Sequence, residues 1–244
     1  MDEIRLKELA KRCGERQMLE VSYFLTPAER YEAEKWASKD PDARPVFFGG
    51  NVNCERTCAF FLPFYIDENE IDYGKYIKAA KITARFAAPS HRDYMGSILG
   101  LGIERDRIGD IITGEECAYV FCTPAVLPVI LDIERVGRAG AKAEETELSD
   151  VPLREVKMKK VEFSVMSPRL DAVVSGMFGL SRTKAAAVIG HERVSVNYSI
   201  VQKTDIQIRP GDIITLKGKG KGIAGEQKGL SKKGRIYMEA QIYI

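Results

Sequence analysis

Two spacings of apolar residues alternate along this chain, and the changes between them divide it. Residues 4–20 carry a charged helical pattern with Ile4, Leu6, Leu9 and Cys13 on one side. Thr26-Pro27-Ala28-Glu29 follows as a helix start, with a threonine cap, proline in the first turn and glutamate at the third position of a capping box. That helix is expected to run to about Lys39, with Trp36 packed on the first helix. Asp40–Pro45 is a turn-rich break. Val46-Phe47-Phe48 and Cys58–Ile66 read as strands, with Gly49-Gly50-Asn51 as a tight turn between them. That turn lacks the lysine and the serine or threonine of a phosphate-binding P-loop.

A different order begins near Tyr73. Ala80–Ala87 reads as a strand, Ser90–Leu99 as a helix capped by Ser90, and Ile108–Thr113 and Cys117–Cys122 as strands. Pro124–Val136 reads as an apolar helix and Ala141–Glu147 as a last strand. The order β-α-β-β-α-β is that of a ferredoxin-like, RRM-like domain. Tyr119 and Phe121 alternate onto one face of a central strand, where they can stack bases or pack against a neighbouring domain. Gly100 and Gly102 end a helix and turn the chain into a strand.

After Asp150 comes a polar linker, then Arg154, Lys157, Lys159 and Lys160, then the alternating strand Val161–Val165. Ser167 and Pro168 suit a helix start, and Leu170, Val173, Val174 and Met177 form one apolar face. Gly179 breaks that helix. Ser181 caps the next, which buries Ala185, Val188 and Ile189 and closes at Gly190. Three strands are expected at Val194–Asn197, Ile206–Ile208 and Ile213–Lys217, the last two joined by the turn Pro210-Gly211-Asp212. Lys217, Lys219 and Lys221 alternate with glycines in a pliable basic strip. Ile223–Gly234 is expected to be a mobile loop. Arg235–Ile244 alternates again and is expected to pair beside Val161–Val165. The fold class is therefore α+β in three domains: an α/β unit at 1–72, a ferredoxin-like domain at 73–150 and a basic domain at 156–244.

Charge sharpens this division. Residues 1–150 hold 20 Lys+Arg and 27 Asp+Glu, whereas residues 151–244 hold 17 and 8. A basic module on an acidic body fits a polyanion ligand. The charged opening offers no secretory leader and no apolar run is long enough to cross a bilayer, so a cytoplasmic protein is expected. The five cysteines, Cys13, Cys54, Cys58, Cys117 and Cys122, are scattered and read as buried, reduced thiols. No metal or cofactor is expected. A methyltransferase's glycine-rich turn after a first strand is missing, as are synthetase nucleotide signatures.

Several ordered submotifs resemble the S4 RNA-binding domain: Arg169-Leu170-Asp171, Leu180-Ser181-Arg182 with Ala185 and Ile189, Arg193-Val194-Ser195-Val196-Asn197, and Pro210-Gly211-Asp212-Ile213-Ile214. Many members have glycine where Glu192 and Tyr198 stand, so differently shaped turns are expected there, with Gly190 sharing the load. The segment Gly100–Ile111 and the run Val136-Gly137-Arg138-Ala139 resemble the middle domain of bacterial YlmH-like proteins, in which three domains follow in this order. The resemblance implies a cytoplasmic protein of translation. It implies structured RNA, rRNA or tRNA, as partner, on the large ribosomal subunit carrying peptidyl-tRNA, in rescue of stalled chains.

Arg169, Ser181, Arg182, Lys184, Arg193, Asn197, Lys217, Lys219 and Lys221 are the expected RNA-binding residues. Arginine forks and helix N-termini suit phosphates. Arg105, Arg107 and Arg138 are candidate extensions of that surface. The competing readings are an RNA-modifying enzyme, with Asp171 as the aspartate of a pseudouridine synthase, and a scaffold that binds a protein through its acidic N-terminal part.

Overall fold

The computed structural model describes all residues except 1–2, 41–42, 86–87 and 231–233. The chain forms two compact units, Met1–Glu155 and Val156–Ile244. The first begins with α1 (Glu3–Arg16), β1 (Glu20–Val21), α2 (Pro27–Ala37), β2 (Pro45–Phe48) and β3 (Cys58–Phe61). Helix α1 buries Leu6, Leu9 and Cys13 but leaves Ile4 exposed. It ends earlier than expected, before Gln17, whose φ of 52° leaves the helical region. The full capping box of α2 forms between Thr26 and Glu29. Trp36 lies beside α1, with the Lys7 ammonium 5.7 Å from its ring centre.

The three strands form an antiparallel sheet in the order β1-β3-β2. Strand β3 is shorter than the apolar run that suggested it, because Pro63 cannot continue a ladder. Its four residues are all buried because both faces are covered. Ala59 and Phe61 pack under α1 and α2, whereas Cys58 and Phe60 face a second core.

The other side of that second core belongs to the next sheet. Its elements are β4 (Lys78–Ala84), α3 (His91–Leu99), β5 (Ile108–Thr113), β6 (Cys117–Cys122), α4 (Leu127–Leu131), β7 (Arg135–Val136) and β8 (Ala139–Thr146). The expected run Ala80–Ala87 ends on residues outside those described. The sheet order β5-β6-β4-β8-β7 is the ferredoxin-like arrangement with a small extra strand. The long helix expected over Pro124–Val136 is not formed. A 3-10 turn at Pro124–Val126 leads into the five-residue α4, and Arg135-Val136 then pairs with Ala139-Gly140 around Gly137, whose φ is 59°. On the helix side the sheet buries Ala80, Ile82, Ala118, Val120 and Cys122 beneath α3 and α4. On the opposite side Phe121, fully buried, and Tyr119, partly buried, pack with Phe24, Phe60 and Phe48. The unit is thus a four-layer sandwich of helices, sheet, sheet and helices. The face of β6 that offered a base-stacking platform is covered by the N-terminal sheet.

Tight glycines let the two sheets approach. A Cβ on Gly50 would lie 2.2 Å from the Phe121 ring, and one on Gly109 would lie 2.6 Å from Phe24. Burial pushes the thiols of Cys54 and Cys122 up to about 12 and also raises those of Cys13 and Cys58, so these four are packed neutral groups.

The second unit contains β9 (Met158–Val165), α5 (Leu170–Phe178), α6 (Arg182–Gly190), β10 (Val194–Val196), β11 (Ser199–Ile200), β12 (Ile213–Leu216), β13 (Gly220–Leu230) and β14 (Ile236–Tyr243). They make one antiparallel sheet, β11-β10-β12-β13-β14-β9, with both helices on one face. Strand β14 pairs with β9 from Ile236↔Val165 to Tyr243↔Met158, as the alternation at Arg235–Ile244 suggested. The expected loop at Ile223–Gly234 is instead mostly β13, with two register shifts; residues 231–233 lie outside those described. Its glycines have a packing reason. A Cβ on Gly222 would meet Met177 at 2.7 Å, and the strand is paired along both edges.

Helix α5 starts at Leu170, with Arg169 rather than Ser167 at the cap. No side chain caps it. The N–H groups of Leu170 and Asp171 instead donate to the carbonyls of Ile206 and Thr204. That use of the backbone leaves Ile206–Ile208 as a single bridge, Arg169↔Gln207, and not a strand. Glu192 and Tyr198 keep left-handed backbones, with φ of 58° and 67°, so the turns are not reshaped and Gly190 remains helical. Asn197 and Tyr198 form a two-residue hairpin loop with φ positive at both positions, the geometry that matches strand twist.

Gly50→Ala is expected to destabilise the first unit by roughly 1–3 kcal/mol, from overpacking on Phe121 and its φ of 115°. Gly96→Ala, in α3 with no atom near its Cβ, is expected to stabilise it by about 0.5–1 kcal/mol. Thermal unfolding of the two variants should shift in opposite directions; equal shifts would remove the sheet-contact explanation.

Candidate nucleic-acid interface

Two turns of the second unit determine where its cations stand. Gly179 caps α5 in the left-handed conformation, and Ser181 immediately caps α6, its Oγ accepting from the Lys184 N–H at 3.3 Å. The tight connection lets the Arg182 side chain, in the first turn of α6, reach back to the first turn of α5. There Asp171, only 8% exposed, accepts from Nη2 of Arg182 at 2.6 Å and, in a longer contact, from Nε of Arg169 at 3.4 Å. Burial alone would raise the Asp171 carboxyl, but the hydrogen bonds and charges of Arg182 and Arg169 outweigh it and hold the group below the ordinary range. The side chains of Arg182 and Arg169 remain 53% and 40% exposed. Lys184, in the same first turn of α6, is exposed.

This end of α6 is electrostatically unusual. Its first turn holds Arg182 and Lys184 and no acidic residue. A helix N-terminus carries partial positive charge and favours anions. Cations placed there are stabilising only together with an anion, and Asp171 supplies part of that charge. The remaining donors and the capped N-terminus form a positive surface suited to phosphate.

A second group of cations lies past the other end of α6. The Arg193 N–H donates to the Val188 carbonyl, and its guanidinium donates to the Lys217 carbonyl at 2.9 Å. Lys217 and Lys219 are exposed in the hairpin between β12 and β13, so the basic strip is a defined turn. Lys221 stands apart from them, half-buried on the sheet with its ammonium 4.4 Å from the Tyr243 ring centre. Asn197 is engaged by the fold. Its Nδ2 donates to Asp212, and its Oδ1 accepts from the Ile213 N–H. Of the residues picked from sequence, Arg169 and Arg182 meet on Asp171, Ser181 caps the helix that carries Arg182 and Lys184, and Arg193 meets Lys217 near the hairpin that carries Lys219. Sequence reasoning missed the role of Asp171 here; its signal was one acid among seven in a unit with 16 Lys+Arg.

The arginines of the first unit have other work. Arg105 donates to the carbonyls of Ile108 and Gly109, and burial with the adjacent Arg56 lowers it to about 10. Arg107 stacks 3.5 Å from the Tyr23 ring centre and pairs with Glu104 and Asp106. Arg138 is exposed at the β7–β8 turn. Among the described residues, no group of three or more His, Cys, Asp or Glu side chains is arranged to hold a metal, and no helix is long and apolar enough to cross a membrane.

Residues 69–150 match the RNA-binding domain in YlmH, and residues 168–214 match the S4 domain. The chain is 26% identical over 230 residues to the Ribosome-associated protein quality control protein P2 of Bacillus subtilis, covering 93% of this chain and 89% of that one. A 58-residue stretch is 45% identical to the small ribosomal subunit protein uS4 of Kosmotoga olearia, covering 23% of this chain and 28% of that protein. The structure of the cell division protein ylmH from Streptococcus pneumoniae has the same fold, with a TM-score of 0.53 at 22% identity over 60% of this chain and 90% of that one. The chain is therefore similar to YlmH proteins along most of its length, with a match to YlmH's RNA-binding domain in its middle and a match to the S4 domain in its C-terminal unit.

Proposed function

We propose that this chain is a non-enzymatic, cytoplasmic protein that grips structured RNA on the large ribosomal subunit carrying peptidyl-tRNA, in the rescue of stalled translation. The observation that carries the proposal is the first turn of α6, which holds Arg182 and Lys184 at a helix N-terminus and joins Arg182 to Arg169 through Asp171. That turn has no acidic residue of its own and Asp171 balances only part of its charge, so an RNA phosphate is an anion that suits the remainder. Arg193, Lys217 and Lys219 extend the contact along the backbone. Such a surface reads shape and phosphate more than bases. The name of the Bacillus subtilis relative, a ribosome-associated protein, supports a ribosomal setting.

The pseudouridine synthase reading needs Asp171 to reach a substrate. Both of its carboxylate oxygens are occupied by arginines and it is buried, which disfavours that role. The first unit carries 21 Lys+Arg against 28 Asp+Glu. Its RRM-like sheet is covered, and its acidic surface fits a protein partner better than RNA.

Sedimentation with purified ribosomal subunits tests the proposal. The wild-type chain should travel with the large subunit at low salt, and Arg182→Ala/Lys184→Ala should remain largely at the top of the gradient. A wild type that stays at the top even at low salt, where electrostatic attraction is strongest, would exclude the ribosomal setting. The logarithm of the apparent affinity should fall linearly with the logarithm of salt concentration. The slope of the double variant should be shallower by roughly 0.7–0.9 for each phosphate it no longer neutralises; an unchanged slope would mean that other residues meet the phosphates.

A further inference from the structure

We propose that Asp171 is a positioning residue for RNA binding: its buried carboxylate holds Arg169 and Arg182 side by side as one preassembled clamp for the phosphates of an RNA strand. This rests on the reading just given and adds a negatively charged residue to a surface whose ligand is itself an anion.

The geometry carries the inference. Two like-charged guanidinium groups repel, and free arginine side chains sample many rotamers. A single carboxylate engages both, one through each oxygen. It is fixed in place because its own backbone N–H is held by the Thr204 carbonyl, in the first turn of a helix packed in the core. Each arginine gives up only part of its five-donor fork to Asp171, and both side chains remain substantially exposed. The donors left over belong to side chains that reach solvent and are each anchored to the same carboxylate. Arg182 also belongs to the first turn of α6, so the clamp and the helix N-terminus lie together.

Positioning and plain electrostatics predict opposite signs for one substitution. If charge alone mattered, Asp171→Asn would remove a repulsive group and tighten RNA binding. If Asp171 positions the arginines, the same change releases them, and binding weakens despite the more favourable net charge.

The test is titration of the full chain with purified large ribosomal subunits at several KCl concentrations, with thermal unfolding of each variant alongside. Asp171→Asn is expected to weaken binding about tenfold, the scale of one charge-assisted hydrogen bond to the ligand. In an Arg169→Ala/Arg182→Ala background it should have little further effect, because the residue acts through those two arginines. Equal or tighter binding by Asp171→Asn overturns the inference, as does an undiminished loss in the Arg169→Ala/Arg182→Ala background. Should Asp171→Asn fail to fold, Arg169→Lys/Arg182→Lys decides the matter at exposed positions. It keeps both charges but removes the planar forks, so a similar loss supports the clamp and unchanged affinity rejects it. A wild type that does not bind the subunits rejects the ribosomal reading itself, which separates the two failures.

Discussion

Asp171 is a charge that folding takes out of water, and the polar face of the second unit follows from how that charge is balanced. A carboxylate left unpaired at this depth would cost several kcal/mol. Arg182 and Arg169 offset the cost, and in doing so they tie the start of α6 to the start of α5. The helix pair is then held by its apolar core beneath and by an ionic knot above. The same knot explains why Arg182 is tolerated at a helix N-terminus that repels it. Stability and readiness for an anionic ligand therefore share one set of atoms.

The first unit obeys a different constraint, the covering of every sheet face. Its two sheets share a core in which Phe121, Phe60 and Phe24 interlock, and glycines at positions 50 and 109 permit the close approach. An RRM-like sheet with a free face would have its aromatics available for bases. Here those aromatics stabilise the sandwich. Arg56 and Arg105 add to it, because their forks bind carbonyls that run between the layers, including those of Phe24 and Ile108. Basic residues in that region are thus mortar, and the strongly basic surface is left to the second unit.

Much of this was legible where local chemistry and periodicity agree. Thr26-Pro27-Ala28-Glu29 specifies its own helix start, and the alternation of Arg235–Ile244 specifies a strand with one buried face. The ferredoxin-like order was readable because each of its longer elements carries its own period. Legibility failed where long-range contacts override local preference. Strand β13 is rich in glycine, yet its neighbours complete its ladders, so it forms. The run Pro124–Val136 is largely apolar, and apolarity alone does not distinguish a long helix from a short helix followed by a hairpin. At the interface the cations were visible as charges, but their grouping was not. Arg182 meets Asp171 across eleven residues and a helix turn, and Asn197 spends its amide on Asp212 and Ile213.

The pairing of β14 between β13 and β9 has a consequence for how the domain comes into being. The strand that opens the unit waits for the strand that ends it, with about seventy residues between them. A nascent chain that has emerged only as far as the helix pair presents Arg169 and Arg182 on an unfinished sheet with an open edge. Pairing so distant in sequence is slow to form. The sheet beneath the helix pair is therefore completed only once β14 is available to join β13 to β9.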